Sequence, residues 1–371
     1  WRDEPMEPWA QRLIDSLWGD AAPANPSATL QAYVSHLRRR LEPEGTARSR
    51  GSVIVSEGGG YALRVPADAV DAWRFERLVK EATGTDPAHA AAALAWAGAR
   101  QQSAPASAFA QAIASLSEAG GYFDTDNLIS NESSYLQVVP ALRAKNLHGG
   151  AYIGVGPDQN FTYIAESRPA IAFIVDIRRD NLLLHLFFKA LFQQAHTRIE
   201  YLALLFGRPV PASIEAWRTA PVERLARYID DNRAGDAATV HARMDQAIKA
   251  FGVPLSSDDL RTIAVFHQRF AEAGLSLQFQ STGRPPQRDY PTYRDLLLDT
   301  DSAGRQSNFL ASEESFQFVR GLEAQDRVIP VVGDLSGPSA LAAIGKRLAS
   351  RGEALSVFYA SNVEFYLFRD G

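Results

Sequence analysis

The chain has 371 residues, a formal net charge of -5 and no cysteine. The lack of cysteine excludes disulfides, thiolate metal sites and cysteine nucleophiles, and the charge argues against a uniformly cationic nucleic-acid binder. The length fits two domains with a third small piece, and 46% hydrophobic residues are typical of a globular protein. Because the chain starts at Trp1 and ends at Gly371, three residues after an apolar run, we expect it to be cut at both ends.

No apolar run reaches the length of a membrane span, since the longest, residues 182–192, is interrupted by His185 and Lys189. The missing cysteine fits a reducing compartment, so we expect a cytoplasmic protein that does not enter a membrane. The histidines lack metal-ligand spacing, which predicts no structural metal. The motifs of P-loop enzymes and of the commonest hydrolases are missing from the sequence as well.

Residues 1–82 carry the pattern of a helix, a loop, a second helix and a hairpin. In residues 28–41 the apolar positions form one helical stripe, and the other faces are polar and basic. Such a helix fits the major groove, where Gln and Arg read base edges and Arg neutralises phosphates. Residues 52–56 and 61–65 are expected to form two strands around a glycine turn. A solvated basic helix without a DNA role is the alternative. The candidate DNA contacts are Thr29, Gln31, Ser35, His36, Arg38 and Arg39.

Three segments of this part carry a resemblance: LIDSLWGD at 13–20, TLQAYVSHLRRRLEP at 29–43 and GGYAL at 59–63. They resemble the OmpR-type winged helix of the Streptomyces antibiotic regulatory proteins. Residues 71–78 resemble the start of the bacterial transcriptional activation domain of that family, so the resemblance covers about residues 10–100. It implies a double-stranded DNA partner and a role in transcription regulation. The opening strands and first helix of the family are missing from the sequence, so the implied winged helix is partial.

Residues 83–119 contain an alanine tract at 88–99, followed by small polar residues. This pattern is typical of a domain boundary, so we divide the chain into residues 1–82, an Ala-rich helical segment and linker at 83–119, and residues 120–371. The last part alternates apolar strand segments with longer helical stretches. It predicts an α/β fold with a Rossmann-like doubly wound sheet and a helical insertion at about residues 207–275.

In this last part, one strand is expected to follow Asn131, Glu132 and Ser133. These three residues are candidates to cover a ligand, and a capped loop explains them equally well. Further strands are expected to start at Ala151 and to span residues 171–175, 327–332 and 354–359. Helices are expected at residues 160–167, 181–206, 222–228, 237–251, 257–273 and 338–350.

Polar residues follow several of these strands. Gly154 and Gly156 form a turn after one strand, Asp176 ends the next one 22 positions after Gly154, and Asp334 and Asn362 follow later strands. The carboxyl ends of parallel strands gather on one edge, where a tight glycine turn admits a ligand and a carboxylate can bind a ribose. The pattern predicts a nucleoside pocket at Gly154, Gly156, Asp176 and Asp334. A ligand-free turn is the alternative.

The third glycine of the dinucleotide fingerprint is missing, because Gln159 occupies its place. This counts against NAD and less against S-adenosylmethionine, which needs no pyrophosphate cradle at a helix N-terminus. For methyl transfer, the candidate base is Glu364, Asn362 would hold a substrate amine or hydroxyl, and Tyr359 lies close by. A polar strand end bonded to its own loop is the alternative for these residues.

Four segments of the last part carry a second resemblance: YLQVVP at 135–140, GAYIGVGPDQNFTYI at 150–164, FIVDIRRDN at 173–181 and SNVEFYL at 361–367. They resemble an uncharacterised bacterial family that is similar in fold to Rossmann-type S-adenosylmethionine-dependent methyltransferases. The resemblance covers about residues 120–371 and implies a fold and a pocket rather than a reaction. Because methyltransferases of this architecture continue for two or three more strands, it also implies an incomplete sheet edge.

We therefore expect a transcription-regulator-like DNA-binding module joined to a nucleoside-binding Rossmann-like domain. The second part is a candidate methyltransferase with S-adenosylmethionine as its cofactor. A non-catalytic ligand-sensing regulator and a dinucleotide-binding protein are the alternatives. A third alternative is that the two parts come from separate genes joined by truncation, which would leave neither half active.

Overall fold

The computed structural model describes the backbone at residues 54–57 and 60–63, and the chain at 107–123, 125–233, 235, 237–281, 290–361 and 363. The chain divides into two compact units, Trp1–Arg74 and Phe75–Gly371.

In the first unit the structure describes a hairpin. Strand β1 (Ile54–Glu57) pairs antiparallel with β2 (Gly60–Leu63). The hairpin lies where the sequence predicts strands at 52–56 and 61–65, which confirms this element. The predicted DNA-contacting helix at 28–41 lies outside the described residues, so the winged helix stays a prediction.

The second unit has an α/β architecture, and its described strands form one sheet of four parallel strands. Strand β3 (Ala151–Gly154) pairs with β4 (Ile171–Asp176), which pairs with β5 (Val328–Val332). Strand β6 (Leu355–Tyr359) pairs with the other side of β3. The order across the sheet is therefore β5-β4-β3-β6, which is the 3-2-1-4 order of doubly wound folds. The predicted α/β class is confirmed, and a Rossmann-like fold is compatible with this sheet.

Twelve α-helices are described in this unit. They are α1 (Ala108–Leu116), α2 (Val139–Ala144), α3 (Gln159–Ser167), α4 (Arg179–Gln194), α5 (Arg198–Leu205), α6 (Glu215–Arg218), α7 (Val222–Asp231), α8 (Ala237–Ala250), α9 (Ser257–Ala273), α10 (Tyr293–Leu298), α11 (Glu313–Ala324) and α12 (Ala340–Arg351). The excursion from α5 to α10 lies between β4 and β5 in the chain and includes the predicted helical insertion.

Two expected elements differ in the structure. The prediction of a single helix at 181–206 is wrong, because α4 ends before Ala195 and α5 starts after Thr197. The hydroxyl of Thr197 caps α5 by accepting a hydrogen bond from the N–H of Glu200. The strand expected after Ser133 is also wrong: residues 133–138 form turns that lead into α2. A short apolar run does not by itself distinguish a strand from a helical turn.

The sheet lies at the centre of an apolar core. Every residue of β3, β4 and β5 is buried, as is typical of parallel strands covered by helices. Helix α4 is buried along most of its length and contacts β4 and β5. The rings of Phe188 and Phe192 on this helix pack edge-to-face on Phe161 of α3. Strand β6 is half-buried because it lies at an edge of the described sheet. Within the described ranges, no helix combines the length and apolar character needed to cross a membrane.

Candidate functional site

The strand order reverses between β3 and β6, and doubly wound folds bind ligands outside the carboxyl ends at such a switch point. Gly154 ends β3 and Tyr359 ends β6, and the two residues are partners in the ladder. Glu132 lies at the same edge. Its carboxylate accepts hydrogen bonds from the hydroxyl of Tyr359 at 2.6 Å and from that of Ser361 at 2.5 Å. These contacts place a carboxylate and two hydroxyls at the switch point.

The buried side chain of Asn160 holds the turn after β3 through hydrogen bonds to its backbone. Its Nδ2 lies within hydrogen-bond distance of the carbonyl oxygens of Val155 (3.0 Å), Gly156 (3.2 Å) and Pro157 (2.8 Å). Its Oδ1 accepts a hydrogen bond from the hydroxyl of Tyr152 at 2.7 Å. Both polar atoms of the Asn160 amide are therefore hydrogen-bonded, and these bonds within the protein hold the turn in place.

Both predicted site glycines have a structural role in this turn. A side chain at Gly154 would overlap the Oδ1 of Asn160 and the ring of Tyr152, so glycine leaves room for these groups. Gly156 has a φ of 91°, a left-handed conformation that glycine adopts most easily. The amide of Gln159 lies beside it and donates to the Val155 carbonyl. Internal packing thus accounts for both glycines.

Asp176 ends β4 where the sequence places it, and Arg178 binds its carboxylate. Oδ1 accepts hydrogen bonds from the backbone N–H (2.9 Å) and the Nε (3.1 Å) of Arg178, and Oδ2 accepts one from Nη2 (2.9 Å). Both side chains are 6% exposed, so this is a buried, bidentate ion pair. A ribose would compete with Arg178 for the same oxygens. Asp334, after β5, accepts hydrogen bonds from the N–H and the hydroxyl of Ser336.

Residues 117–123 and 125–132, which we call the strap, run along the carboxyl edge of the sheet. The strap begins beside β5, passes β4 and ends at β6, where Glu132 binds Tyr359 and Ser361. Three of its other hydrogen bonds follow the same order: Glu118 N–H to the Val332 carbonyl (2.9 Å), Gly121 N–H to the Ile177 carbonyl (2.8 Å) and Arg178 Nη1 to the Thr125 carbonyl (3.0 Å). The strap therefore covers the strand ends at which the sequence predicts a pocket.

Glu118 anchors the strap to the loop between β5 and α12. One carboxylate oxygen accepts a hydrogen bond from the N–H of Asp334 (2.9 Å). The other accepts from the N–H (2.9 Å) and hydroxyl (2.7 Å) of Ser339 and from the N–H of Ala340 (3.1 Å). A carboxylate is favourable there, because the first N–H groups of a helix lack partners and carry positive partial charge. Sequence reasoning missed Glu118 because it lies far from this helix in the chain.

Sequence reasoning also missed three buried polar side chains, Asp158, Asn181 and His185. Asp158 accepts a hydrogen bond from the Tyr293 hydroxyl (3.1 Å), and burial raises the pKa of Asp158 to about 7. The Nε2 of His185 lies 2.9 Å from the Gly156 carbonyl oxygen, and burial lowers the pKa of His185 to about 4. Neither side-chain amide atom of Asn181 has a hydrogen-bond partner in the described part of the chain. A lone histidine in an apolar helix was the signal available for His185.

Of the three catalytic candidates, the described residues include Tyr359. Burial raises the pKa of Tyr359, and its ring packs 4.6 Å from that of Tyr163. Asn362 and Glu364 lie outside the described residues. In the ranges that the structure covers, no three His, Asp or Glu side chains form a group suited to a metal ion. The candidate DNA contacts also lie outside the described residues: Thr29, Gln31, Ser35, His36, Arg38 and Arg39.

The N-terminal part of the chain, within about residues 1–100, is similar to regulators from Streptomyces. It is 36% identical over 76 residues to the Transcriptional regulator RedD of Streptomyces coelicolor and 40% identical over 74 residues to the Regulatory protein AfsR of that species. It is 38% identical over 72 residues to the Regulatory protein DnrI of Streptomyces peucetius. The match to RedD covers 20% of this chain and 22% of RedD, and the match to AfsR covers 20% of this chain and 7% of AfsR. The match to DnrI covers 19% of this chain and 26% of DnrI. The chain thus spans about a quarter of these relatives or less.

A family described as Domain of unknown function (DUF7790) matches residues 127–234 and 261–370. The matched segments contain all four parallel strands, and they include Glu132, Asp176 and Tyr359. The interval between them falls in the helical excursion. Together they make up more than half of the sequence. The chain therefore belongs to the family described as Domain of unknown function (DUF7790).

Proposed function

We propose that this protein is a ligand-responsive transcription regulator. In this proposal the N-terminal part binds double-stranded DNA, and the α/β unit binds a small nucleoside ligand at the carboxyl ends of β3 and β6. The observation that carries the proposal is the likeness of the N-terminal part to three Streptomyces regulators. The predicted helix at 28–41 would supply Arg38 and Arg39 to phosphates and Gln31 to a base edge.

The nucleoside part of the proposal is supported by the 3-2-1-4 strand order and by the polar groups at the switch point. Glu132 is half-buried and has no ion-pair partner among the described residues, so its carboxylate can exchange the hydroxyls of Tyr359 and Ser361 for those of a ribose. Asp176 can do so only by giving up part of its contact with Arg178. S-adenosylmethionine is the first ligand to test, because the turn lacks the third glycine of a dinucleotide site.

Methyl transfer from S-adenosylmethionine is the second candidate function. It is favoured by the hydrogen bond between Tyr359 and Glu132, because a hydroxyl bound to a carboxylate can relay the proton that an attacking nucleophile loses. The sequence-based candidates Asn362 and Glu364 follow directly in the chain and would contact the acceptor. The two candidate functions share the ligand and differ in whether the methyl group is transferred.

The test uses the 371-residue chain in two assays. Isothermal titration calorimetry measures binding of S-adenosylmethionine and S-adenosylhomocysteine, and selection from random duplexes followed by mobility shift measures DNA binding. We expect micromolar binding of both compounds and a DNA affinity that changes when the ligand is present. Transfer of the labelled methyl group to an acceptor would instead establish the second candidate function. A folded chain that selects no DNA would contradict the regulator proposal, and one that binds neither compound would contradict the nucleoside part.

A further inference from the structure

Asn181, the third residue of α4, is 2% exposed, and both polar atoms of its side chain lack hydrogen-bond partners in the described part of the chain. An amide removed from water without such partners destabilises a protein, so buried amides are normally bonded. Asn160 shows the normal case, since it is also buried and both polar atoms of its amide are hydrogen-bonded. The side chain of Asn181 thus has a donor and an acceptor available to a ligand.

His185 lies one helical turn further along the same face of α4. Its Nε2 is 2.9 Å from the Gly156 carbonyl oxygen, so Nε2 carries the hydrogen and donates it. The Nδ1 is then an acceptor, and it is buried without a partner in the described ranges. Residues four apart on a helix have Cβ atoms about 5–6 Å apart, so Asn181 and His185 can bind the same chemical group. This face of α4 is directed at the turn that follows β3.

The available atoms indicate the chemistry of that group. Oδ1 of Asn181 and Nδ1 of His185 accept hydrogen bonds, and Nδ2 of Asn181 donates one. Both side chains are neutral, because burial lowers the pKa of His185 to about 4. A buried phosphate or ammonium would find no counter-charge on these two residues. A heterocycle with an amino group beside a ring nitrogen fits, since its two N–H bonds meet the acceptors and its ring nitrogen meets the donor.

We propose that Asn181 and His185 form a buried subsite that recognises the amino edge of an adenine-type nucleobase. The inference rests on the proposed nucleoside ligand and specifies how its base is bound. The strap contacts Ile177 and Arg178, which lead into the helix carrying this subsite.

The first arm of the test compares adenosine with purine riboside, which carries a hydrogen in place of the amino group. Calorimetry on the full chain is expected to show at least tenfold tighter binding of adenosine, because without the amino group both acceptors are left unpaired. The variant Asn181→Leu is expected to bind adenosine at least tenfold more weakly and to lose the preference. Equal affinity of the wild-type chain for the two nucleosides would overturn the proposal.

The second arm measures thermal stability without ligand. Asn181→Leu replaces an unpaired buried amide with an apolar side chain of similar size, so Tm is expected to rise by about 2–4 °C. The matched control Asn160→Leu breaks the hydrogen bonds that hold the turn and is expected to lower Tm. A fall in Tm for Asn181→Leu as well would show that its amide is bonded in the folded chain and would overturn the proposal.

S-adenosylhomocysteine separates failure of this inference from failure of the proposed function. If wild type and Asn181→Leu bind it within a factor of two of each other, the nucleoside ligand stands and the role of Asn181 is overturned. If the wild-type chain binds neither S-adenosylhomocysteine nor adenosine, both the nucleoside ligand and the subsite are overturned. Loss of its binding in Asn181→Leu, with a Tm at or above that of wild type, supports both.

Discussion

Glu118 caps a helix that starts 222 positions later: its carboxylate accepts a hydrogen bond from the backbone N–H of Ala340, the first residue of α12, at 3.1 Å. Ser339, the local N-cap residue, makes no side-chain cap bond to the helix and instead donates its hydroxyl to the same carboxylate. One acidic side chain of the strap thus satisfies the helix start and fixes the strap to the sheet edge.

Removal of this cap is expected to destabilise the α/β unit. Glu118→Ala should lower the free energy of unfolding by about 1–3 kcal/mol, because the backbone N–H groups of Asp334, Ser339 and Ala340 lose their acceptor. Glu118→Gln keeps an acceptor oxygen without the charge and should cost less. Urea denaturation measures both effects. The control Glu314→Ala removes an exposed ion pair with Arg168 and should change stability by less than about 1 kcal/mol. Equal effects at Glu118 and Glu314 would contradict the capping role.

The buried pair of Asp176 and Arg178 makes a second prediction. Arg178→Ala leaves a buried carboxylate without its partner and should cost about 3–5 kcal/mol, whereas Arg178→Lys keeps the charge and should cost less. Thermal melts followed by circular dichroism measure the difference. Arg261→Ala, which breaks an exposed pair with Asp258, is the control and should leave the melt nearly unchanged. Similar melts for Arg178→Ala and Arg261→Ala would rule out a stabilising buried pair.

Asp158 makes stability depend on pH in a defined direction. Burial raises the pKa of Asp158 from 3.8 to about 7, so between these values the folded chain keeps a proton that the unfolded chain has lost. The contribution of Asp158 to the free energy of unfolding is therefore fully present below about pH 4. It is lost as the pH rises through 7, and the total loss is up to about 4 kcal/mol.

The variant Asp158→Asn should remove this dependence, because the amide does not ionise and can still accept the hydroxyl of Tyr293. Denaturation at pH 5 and pH 8 is expected to show the variant gaining stability over wild type at the higher pH. Glu323, whose pKa burial also raises to about 7, contributes a slope of the same sign to both proteins, so the difference between them isolates Asp158. An identical pH dependence in the two proteins would contradict the burial of a protonated carboxyl.

The proposed DNA binding by the N-terminal part leads to a prediction about salt. Arg38→Ala with Arg39→Ala should weaken binding to all sequences alike and reduce the slope of log affinity against log salt by about 2, because two phosphate contacts are lost. Gln31→Ala should instead reduce the preference among sequences and leave the slope unchanged. Fluorescence anisotropy at several salt concentrations measures both. A slope unchanged in the double variant would contradict phosphate contact by these arginines.

Much of the α/β unit follows from local sequence patterns. The runs that form β3, β4, β5 and β6 are recognisable because strands inside a parallel sheet are apolar throughout, and the turn at Gly156 is recognisable by its glycines. The helix break at Thr197 and the turns before α2 were missed, because caps and tertiary packing decide them rather than apolar periodicity.

The sequence by itself determined the α/β class, the positions of the strands and the placing of Asp176 at a strand end, because these depend on apolar periodicity and turn residues that are close in the chain. Only the tertiary structure decided which residues of the site bind one another. It buries Arg178 on Asp176, brings Glu132 to Tyr359 and, among the residues described, leaves the amide of Asn181 without a hydrogen-bond partner. Hydrogen bonds between distant segments and the burial of single side chains depend on how the whole sheet edge packs, and no local pattern encodes them.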